Sequence, residues 1–439
     1  MTLAVPVART IYNACNPDEA LDPTDSRNVD LDAAVPGDGF VRGESWARRL
    51  AVKIAVATKP ACILFTGLPG SGKSTELRRF AGYVEREQQF LVVIADALEL
   101  LDLSAEVDIP DVLMVQLYRT EQAVLKLEGR DAREALHDGT MQRLWQWMRD
   151  TDVQISGGEL GTGDEFGAKL VFEMKTRETV RQRVRRSIAA NLSSFVDEVR
   201  KEFQRLEARA KARGRERIVV VLDSLEKLQG TSTSWEKVLE SAERLFSSDA
   251  AYLRLPVHVL YTIPPALSLR LRVDVEFLPM VKLRDRKGNR YQPGVDAMRM
   301  LIARRVSDAH LNELLGATSV AARTEKIIAA SGGYPRELMR LLQALVEAAL
   351  GRGDLDERSF ERVLERSRDT YRRLVRASGA IDWLRKVRDT QRLGITGAEE
   401  MSAASDMLRD NVVLRYLNDE EWFDLHPAVR DMEEFATTS

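Results

Sequence analysis

The chain has little cysteine, little histidine and no long apolar run. Two cysteines in 439 residues, Cys15 and Cys62, cannot build a disulfide framework. A reducing compartment, the cytoplasm, is therefore the expected location. Four histidines, His137, His258, His310 and His426, are scattered with no cysteine nearby, a spacing that does not suit zinc. No stretch approaches the roughly 18 apolar residues of a spanning helix. The opening MTLAVPVARTIYNACNPDE has one arginine and no long apolar segment, so neither a secretory leader nor a membrane partner is expected. An excess of one charge is missing too: 65 basic and 68 acidic side chains leave −3. That balance gives no global reason to bind nucleic acid or anionic lipid. No internal repeat is visible.

What is present is an ordinary globular composition, 44% apolar and 30% charged, with ample material for a core. At roughly 100–200 residues per domain, the length predicts two to four domains. Residues 1–39 are rich in Asp, Pro, Asn and Gly and read as an extended arm with little structure of its own. From Glu44 a helical pattern begins, with Trp46, Leu50 and Ile54 on one face. Continuous apolar runs lie at 61–67 (ACILFTG), 90–96 (FLVVIAD), 217–223 (RIVVVLD) and 257–262 (VHVLYT), with MVKL at 280–283 as a fifth. Such runs alternating with helical stretches predict an α/β fold: a parallel sheet with helices on both faces. Residues 109–150 read as helical. Residues 152–175 alternate apolar and polar around glycines, which predicts a hairpin. Val180, Val184, Ile188, Leu192, Val196, Val199, Phe203 and Leu206 then predict one long amphipathic helix over about 177–212. Together these form an insertion, about 109–215, in the core. Residues 294–367 read as several helices. Residues 371–435 read as a small mixed unit ending in strands at 412–417 and 422–425.

Residues 67–75, GLPGSGKST, have the form G-x-x-x-x-G-K-[ST] between an apolar strand and a helix. Glycines 67, 70 and 72 permit backbone angles closed to other residues, so several N–H groups can point at one anion. The helix starting near Lys73 offers its positive end to a phosphate. Lys73 supplies a mobile cation to the terminal phosphate oxygens, and Ser74 a hydroxyl to Mg²⁺. Pro69, Gly70, Ser71, Gly72 and Thr75 complete the expected cradle. Asp223, at the end of a buried apolar run, is the expected carboxylate that holds Mg²⁺ through water. A water-orienting group is needed for hydrolysis. Ser224 comes directly after Asp223, Glu226 lies two positions on, and Asp96 ends the second strand; Glu226 is the favoured candidate and Asp96 the other.

The order FVRGE (40–44), GLPGSGKST, VVVLDSLEKL (219–228), YTIPPAL (261–267) and SGGYPREL (331–338) resembles AAA+ ATPases, most of all the STAND and origin-recognition-type branches. The resemblance spans about residues 40–435. It implies a P-loop NTPase core over 40–290, an α-helical lid over 291–370 and a winged-helix-like domain over 371–439. It implies that Val41 and Arg42 line the adenine pocket, although the family has Gly-Arg where this chain has Arg-Gly. Thr262 matches the sensor-one position, facing the γ-phosphate or water. Pro335 and Arg336 match the start of the sensor-two helix, the proline abutting the base and the arginine reaching the phosphates. Ser224 stands where the family carries glutamate. Arg270 and Arg272 sit where an arginine finger would be supplied to a neighbouring subunit.

The expected ligands are ATP and Mg²⁺. No Asn-Lys-x-Asp stretch is present, which favours adenine over guanine. The resemblance implies an ATP-hydrolysing molecular switch, the regulatory ATPase of a bacterial defence or signalling system beside a separate effector, and a homo-oligomer. A non-hydrolysing ATP-binding adaptor and an origin or DNA-loading ATPase are the alternatives. Residues 396–439 hold eleven acids and three bases, which argues against DNA as the tail's partner and for a protein. The basic stretches at 176–187 and 211–217 are the sequence's candidates for a nucleic-acid or acidic-protein surface, with a solvated helix face the favoured reading.

Overall fold

The computed structural model describes residues 3–31, 40–130, 139–150, 166–228, 235–352, 355–417 and 420–435. It divides into two compact units: Leu50–Thr66 with Phe80–Glu276, and Met1–Arg49 with Gly67–Arg79 and Phe277–Ser439.

The first of these units is organised by a parallel sheet. Its strands are β1 (Cys62–Gly67), β2 (Leu91–Asp96), β3 (Ile218–Asp223), β4 (His258–Thr262) and β5 (Val275–Leu278), in the order β2-β3-β4-β1-β5. β3 is buried at every position, as a strand covered on both faces must be, which is why its sequence is a continuous apolar run rather than an alternation. The register places Asp96 beside Asp223 and Phe65 beside Thr262, so polar residues end neighbouring strands at one edge. Helices Ile109–Leu127, Leu192–Lys211 and Trp235–Phe246 pack their apolar faces into one core with β2, β3 and β4, centred on Leu113, Phe195, Phe203, Phe246 and Tyr261. Asp108 and Asp111 form a capping box that starts the helix Ile109–Leu127.

The fifth strand is not at 280–283. Met280, Val281 and Lys282 donate their N–H groups to the carbonyls of Arg415, Gly333 and Val41, so the segment makes its backbone bonds to three separate stretches instead of a ladder. The second half of the predicted hairpin is a helix, Phe166–Thr176; the first half lies outside the described residues. Helical phasing explains it: Leu170, Val171 and Met174 are buried while Phe172 between them is 62% exposed. The single long helix is two, Glu178–Ala189 and Leu192–Lys211, broken at Ala190 and Asn191. Apolar spacing from Ile188 to Leu192 carries across the break, so periodicity alone could not see it.

The second unit is mostly helical. Helices Gln292–Ala303, Asp308–Leu315, Val320–Ser331, Pro335–Arg352 and Glu357–Ser378 share a core that includes Leu301, Leu342, Leu345 and Phe360. The expected featureless arm is corrected here. Val5–Ala14 is a helix, with Pro6 in its first turn, and Leu3, Ala8, Ile11 and Cys15 join that same core, as do Val29 and Leu31. Apart from Pro6, which a first helical turn accepts, the acids and prolines that suggested an arm lie after this helix. The small mixed region contains Ile381–Thr390, Ala398–Arg409 and an antiparallel pair, β6 (Val413–Leu417) and β7 (Glu421–Leu425). His426 is fully buried, stacks on Tyr371 at 4.0 Å and is pushed down to about 3 by burial. Among the described residues, no helix is long and apolar enough to cross a membrane.

Candidate nucleotide-binding site

The glycine-rich turn begins where β1 ends, at Gly67, and closes where the helix Lys73–Gln88 starts. Gly70 has φ +79° and Gly72 φ +97°, conformations that side chains rarely adopt. Inside the turn, the Ser71 N–H donates to Leu68 O at 3.1 Å, and the Glu76 N–H donates to Gly72 O at 3.0 Å. The Ser71 hydroxyl is buried without a hydrogen-bond partner among the described residues. Lys73 is buried and donates to the carbonyls of Gly67 at 2.9 Å and Leu68 at 3.3 Å. Ser74 and Thr75 are half-buried in the helix's first turn.

Charged and aromatic groups fix this turn from several sides. The Arg42 guanidinium donates to Ser71 O at 2.7 Å and to Glu76 at 3.3 Å. It thus lies on the turn itself. Glu76 also receives Arg79 at 2.8 Å, and Arg79 reaches back to Asn28 Oδ1 at 2.8 Å and Val29 O at 2.9 Å. A Cβ added to Gly70 would sit 2.6 Å from the Tyr334 ring and 2.6 Å from Arg336 Cβ. Burial pushes the Tyr334 phenol up from its ordinary range. Pro335 opens the helix Pro335–Arg352. Arg336 donates to Pro17 O at 3.1 Å and lies 3.6 Å from the Asp18 carboxylate. Val41 is fully buried, and its carbonyl accepts from the Lys282 N–H. Asn411, itself at φ +55°, donates its side-chain amide to Pro69 O at 3.2 Å.

This donor set suits an anion. The unpartnered Ser71 hydroxyl is one donor. At Gly72, an added Cβ would meet only the Arg42 guanidinium, at 3.5 and 4.0 Å. The first N–H groups of any helix lack intrahelical acceptors.

The strand ends of the sheet unit present the other predicted residues. Asp223 is 7% exposed, and one of its oxygens accepts from the Ser224 N–H at 2.8 Å. Ser224 is buried at φ +69°, a strained setting for a non-glycine residue. Glu226 lies in the short turn Leu225–Lys227 and is half-buried. Thr262 is buried; its hydroxyl accepts from the Leu225 N–H at 3.2 Å and lies 3.4 Å from Leu222 O. It therefore steadies the turn that carries Ser224 and Glu226. Asp96 accepts from the Leu98 N–H at 2.9 Å and caps the short helix behind it. Arg270 is held by Glu236 at 3.5 Å and Glu243 at 3.4 Å, whereas Arg272 is exposed.

No family model and no curated protein matches this chain. The functional reading therefore rests on these residues.

Sequence reasoning missed Tyr334, Glu76, Arg79 and Asn411 as neighbours of the turn. Asn411 comes after the helix Ala398–Arg409 and reads only as a left-handed residue past a helix end. Its amide reaches a carbonyl 342 residues away, which no local pattern announces. The basic stretch at 176–187 is largely neutralised: Arg177 pairs with Glu173 at 2.9 Å, Arg181 with Asp102 at 3.0 Å, and Arg185 with Asp111. In the acidic tail, Arg409, Arg415 and Arg430 each pair with a carboxylate, on Asp406, Glu421 and Asp424 respectively.

Proposed function

We propose that this protein binds ATP with Mg²⁺ and hydrolyses it, acting as a molecular switch of the AAA+/STAND type. The observation that carries the reading is the glycine turn. It links a buried strand to a helix, it holds Gly70 and Gly72 at positive φ, and it keeps an unpartnered hydroxyl and a buried lysine within it. A backbone bent this way concentrates N–H donors on one anion. Lys73, with the turn, would hold the phosphate tail; Ser74 and Asp223 would supply the oxygens for Mg²⁺. The metal, when bound, offsets charge that develops on the transferring phosphoryl group. Glu226 is the proposed water-orienting group. On this reading the protein is cytoplasmic, forms a homo-oligomer and controls a separate effector, as in bacterial defence or signalling systems.

A second reading, an ATP-binding adaptor without turnover, is favoured by Ser224, which occupies a strained position directly after Asp223 where the resembled family has glutamate. Phosphate release and ATP binding by the purified protein separate the two. Hydrolysis predicts release that a Lys73→Ala variant abolishes. Binding with release equal to that variant's selects the adaptor. No ATP binding by the wild type overturns both.

A further inference from the structure

The helix Glu357–Ser378 carries two charged stripes of opposite fate. Its carboxylates face cations. Glu357 takes Arg323 and Lys326, both at 3.0 Å, and Glu361 takes Lys326 at 2.6 Å. Glu365 takes Arg368 at 3.0 Å and Arg372 at 2.5 Å. One step around the helix, Arg358, Arg362 and Arg366 repeat every fourth residue. Among the described residues, none of these three makes an ion pair. Arg362 and Arg366 are exposed, and with the exposed Arg340 of the helix Pro335–Arg352 they line a groove of about 450 Å³ between the two helices. Two carboxylates also border the groove, and both are engaged. Glu337 is buried, accepting Ser367 Oγ at 2.6 Å and Tyr371 Oη at 3.3 Å. Glu347 is hydrogen-bonded with the Tyr12 phenol.

We infer that this groove is a binding site for a nucleic-acid backbone. Arg340, Arg362 and Arg366 outnumber the two carboxylates of the lining, whose partners given above are neutral hydroxyls, so the groove keeps a positive excess that a bound polyanion offsets. The guanidinium fork matches phosphate oxygens two at a time. Four-residue spacing advances the stripe about 6 Å per arginine, so Arg358, on the same helix but outside the residues that line the groove, extends the stripe of Arg362 and Arg366 to about 12 Å. A nucleic-acid strand, with a phosphate every 3.4 Å or so along the duplex axis, meets each of them. A single small anion would engage one or two at a time. The contrast with the insertion helix Glu178–Ala189 is direct, because Arg181 and Arg185 there are bound to Asp102 and Asp111. The near-neutral total charge hides the groove, since it averages a local excess against acids elsewhere. The inference is independent of whether ATP is hydrolysed.

The test is fluorescence anisotropy of the full-length protein with a labelled mixed-sequence DNA duplex, and with one of its strands, across a salt series. Wild type is expected to bind at low salt with affinity that falls as salt rises. An Arg362→Glu/Arg366→Glu variant should lose at least tenfold in affinity, and its log–log salt slope should be shallower by about two. An Arg362→Gln/Arg366→Gln variant should show the same slope change with a smaller loss, and it carries the test if the charge reversal unfolds the protein. An Arg183→Glu/Arg186→Glu variant on the insertion helix should bind like wild type. The assignment is overturned if wild type binds neither probe, if the groove variants keep wild-type affinity and slope, or if the insertion variant loses as much as they do.

Discussion

The glycine turn and the strand ends solve the problem of presenting polar groups in different ways. The turn depends on the absence of side chains. At Gly70 any Cβ would strike Tyr334 and Arg336, and a cluster of Arg42, Glu76 and Arg79 locks the backbone from outside. The strand ends depend on the sheet. Register alone sets Asp223 beside Asp96, and Thr262 on the neighbouring strand steadies the backbone at Leu225. The turn should therefore fail through shape, all at once. The strand ends should fail through chemistry, one group at a time.

The largest effect should come from Gly70→Ala. It combines a 2.6 Å clash with a positive φ, and we expect ATP binding to be lost by calorimetry, with stability lowered by about 2–4 kcal/mol in thermal unfolding. Gly72→Ala supplies the contrast. It has positive φ but no contact below 3.5 Å, so its stability loss should stay near ~1 kcal/mol. Equal losses would erase the role given to Tyr334 and Arg336.

Asp223→Asn comes next. It keeps the shape and removes the charge, so ATP binding should persist while phosphate release falls about a hundredfold. A variant that unfolds instead would place Asp223 among the residues that hold the fold.

The smallest expected difference separates Glu226 from Asp96. Glu226→Gln should slow release about a hundredfold if it orients water, with unchanged unfolding. Asp96→Ala should leave release intact and cost about 1 kcal/mol, the value of a lost helix cap. The reverse pattern would exchange their roles.

Much of the sheet was legible because parallel strands buried on both faces leave unbroken apolar runs. Residues 61–67, 90–96, 217–223 and 257–262 each met a strand within a residue at either end. The turn was legible because glycines at fixed spacing between a strand and a helix have few other uses. What escaped was non-local. Met280–Lys282 looked like a strand because apolar residues there fill a core, yet their N–H groups go to three distant segments. Phe166–Thr176 looked like a strand because an exposed phenylalanine imitated alternation. Asn411 and Tyr334 became neighbours of the turn only through folding. Near the end of the chain, the strands expected at 412–417 and 422–425 are the antiparallel pair Val413–Leu417 and Glu421–Leu425.

Arg336 commits its guanidinium to Pro17 and Asp18, more than three hundred positions away in the chain. Deleting the first twenty residues, ordinarily a harmless trimming, would release that arginine and strip Ile11 and Cys15 from the helical core in one cut. Versions of this protein shortened in this way would then behave like lesions at the glycine turn, and an assay built on them would misjudge the intact molecule.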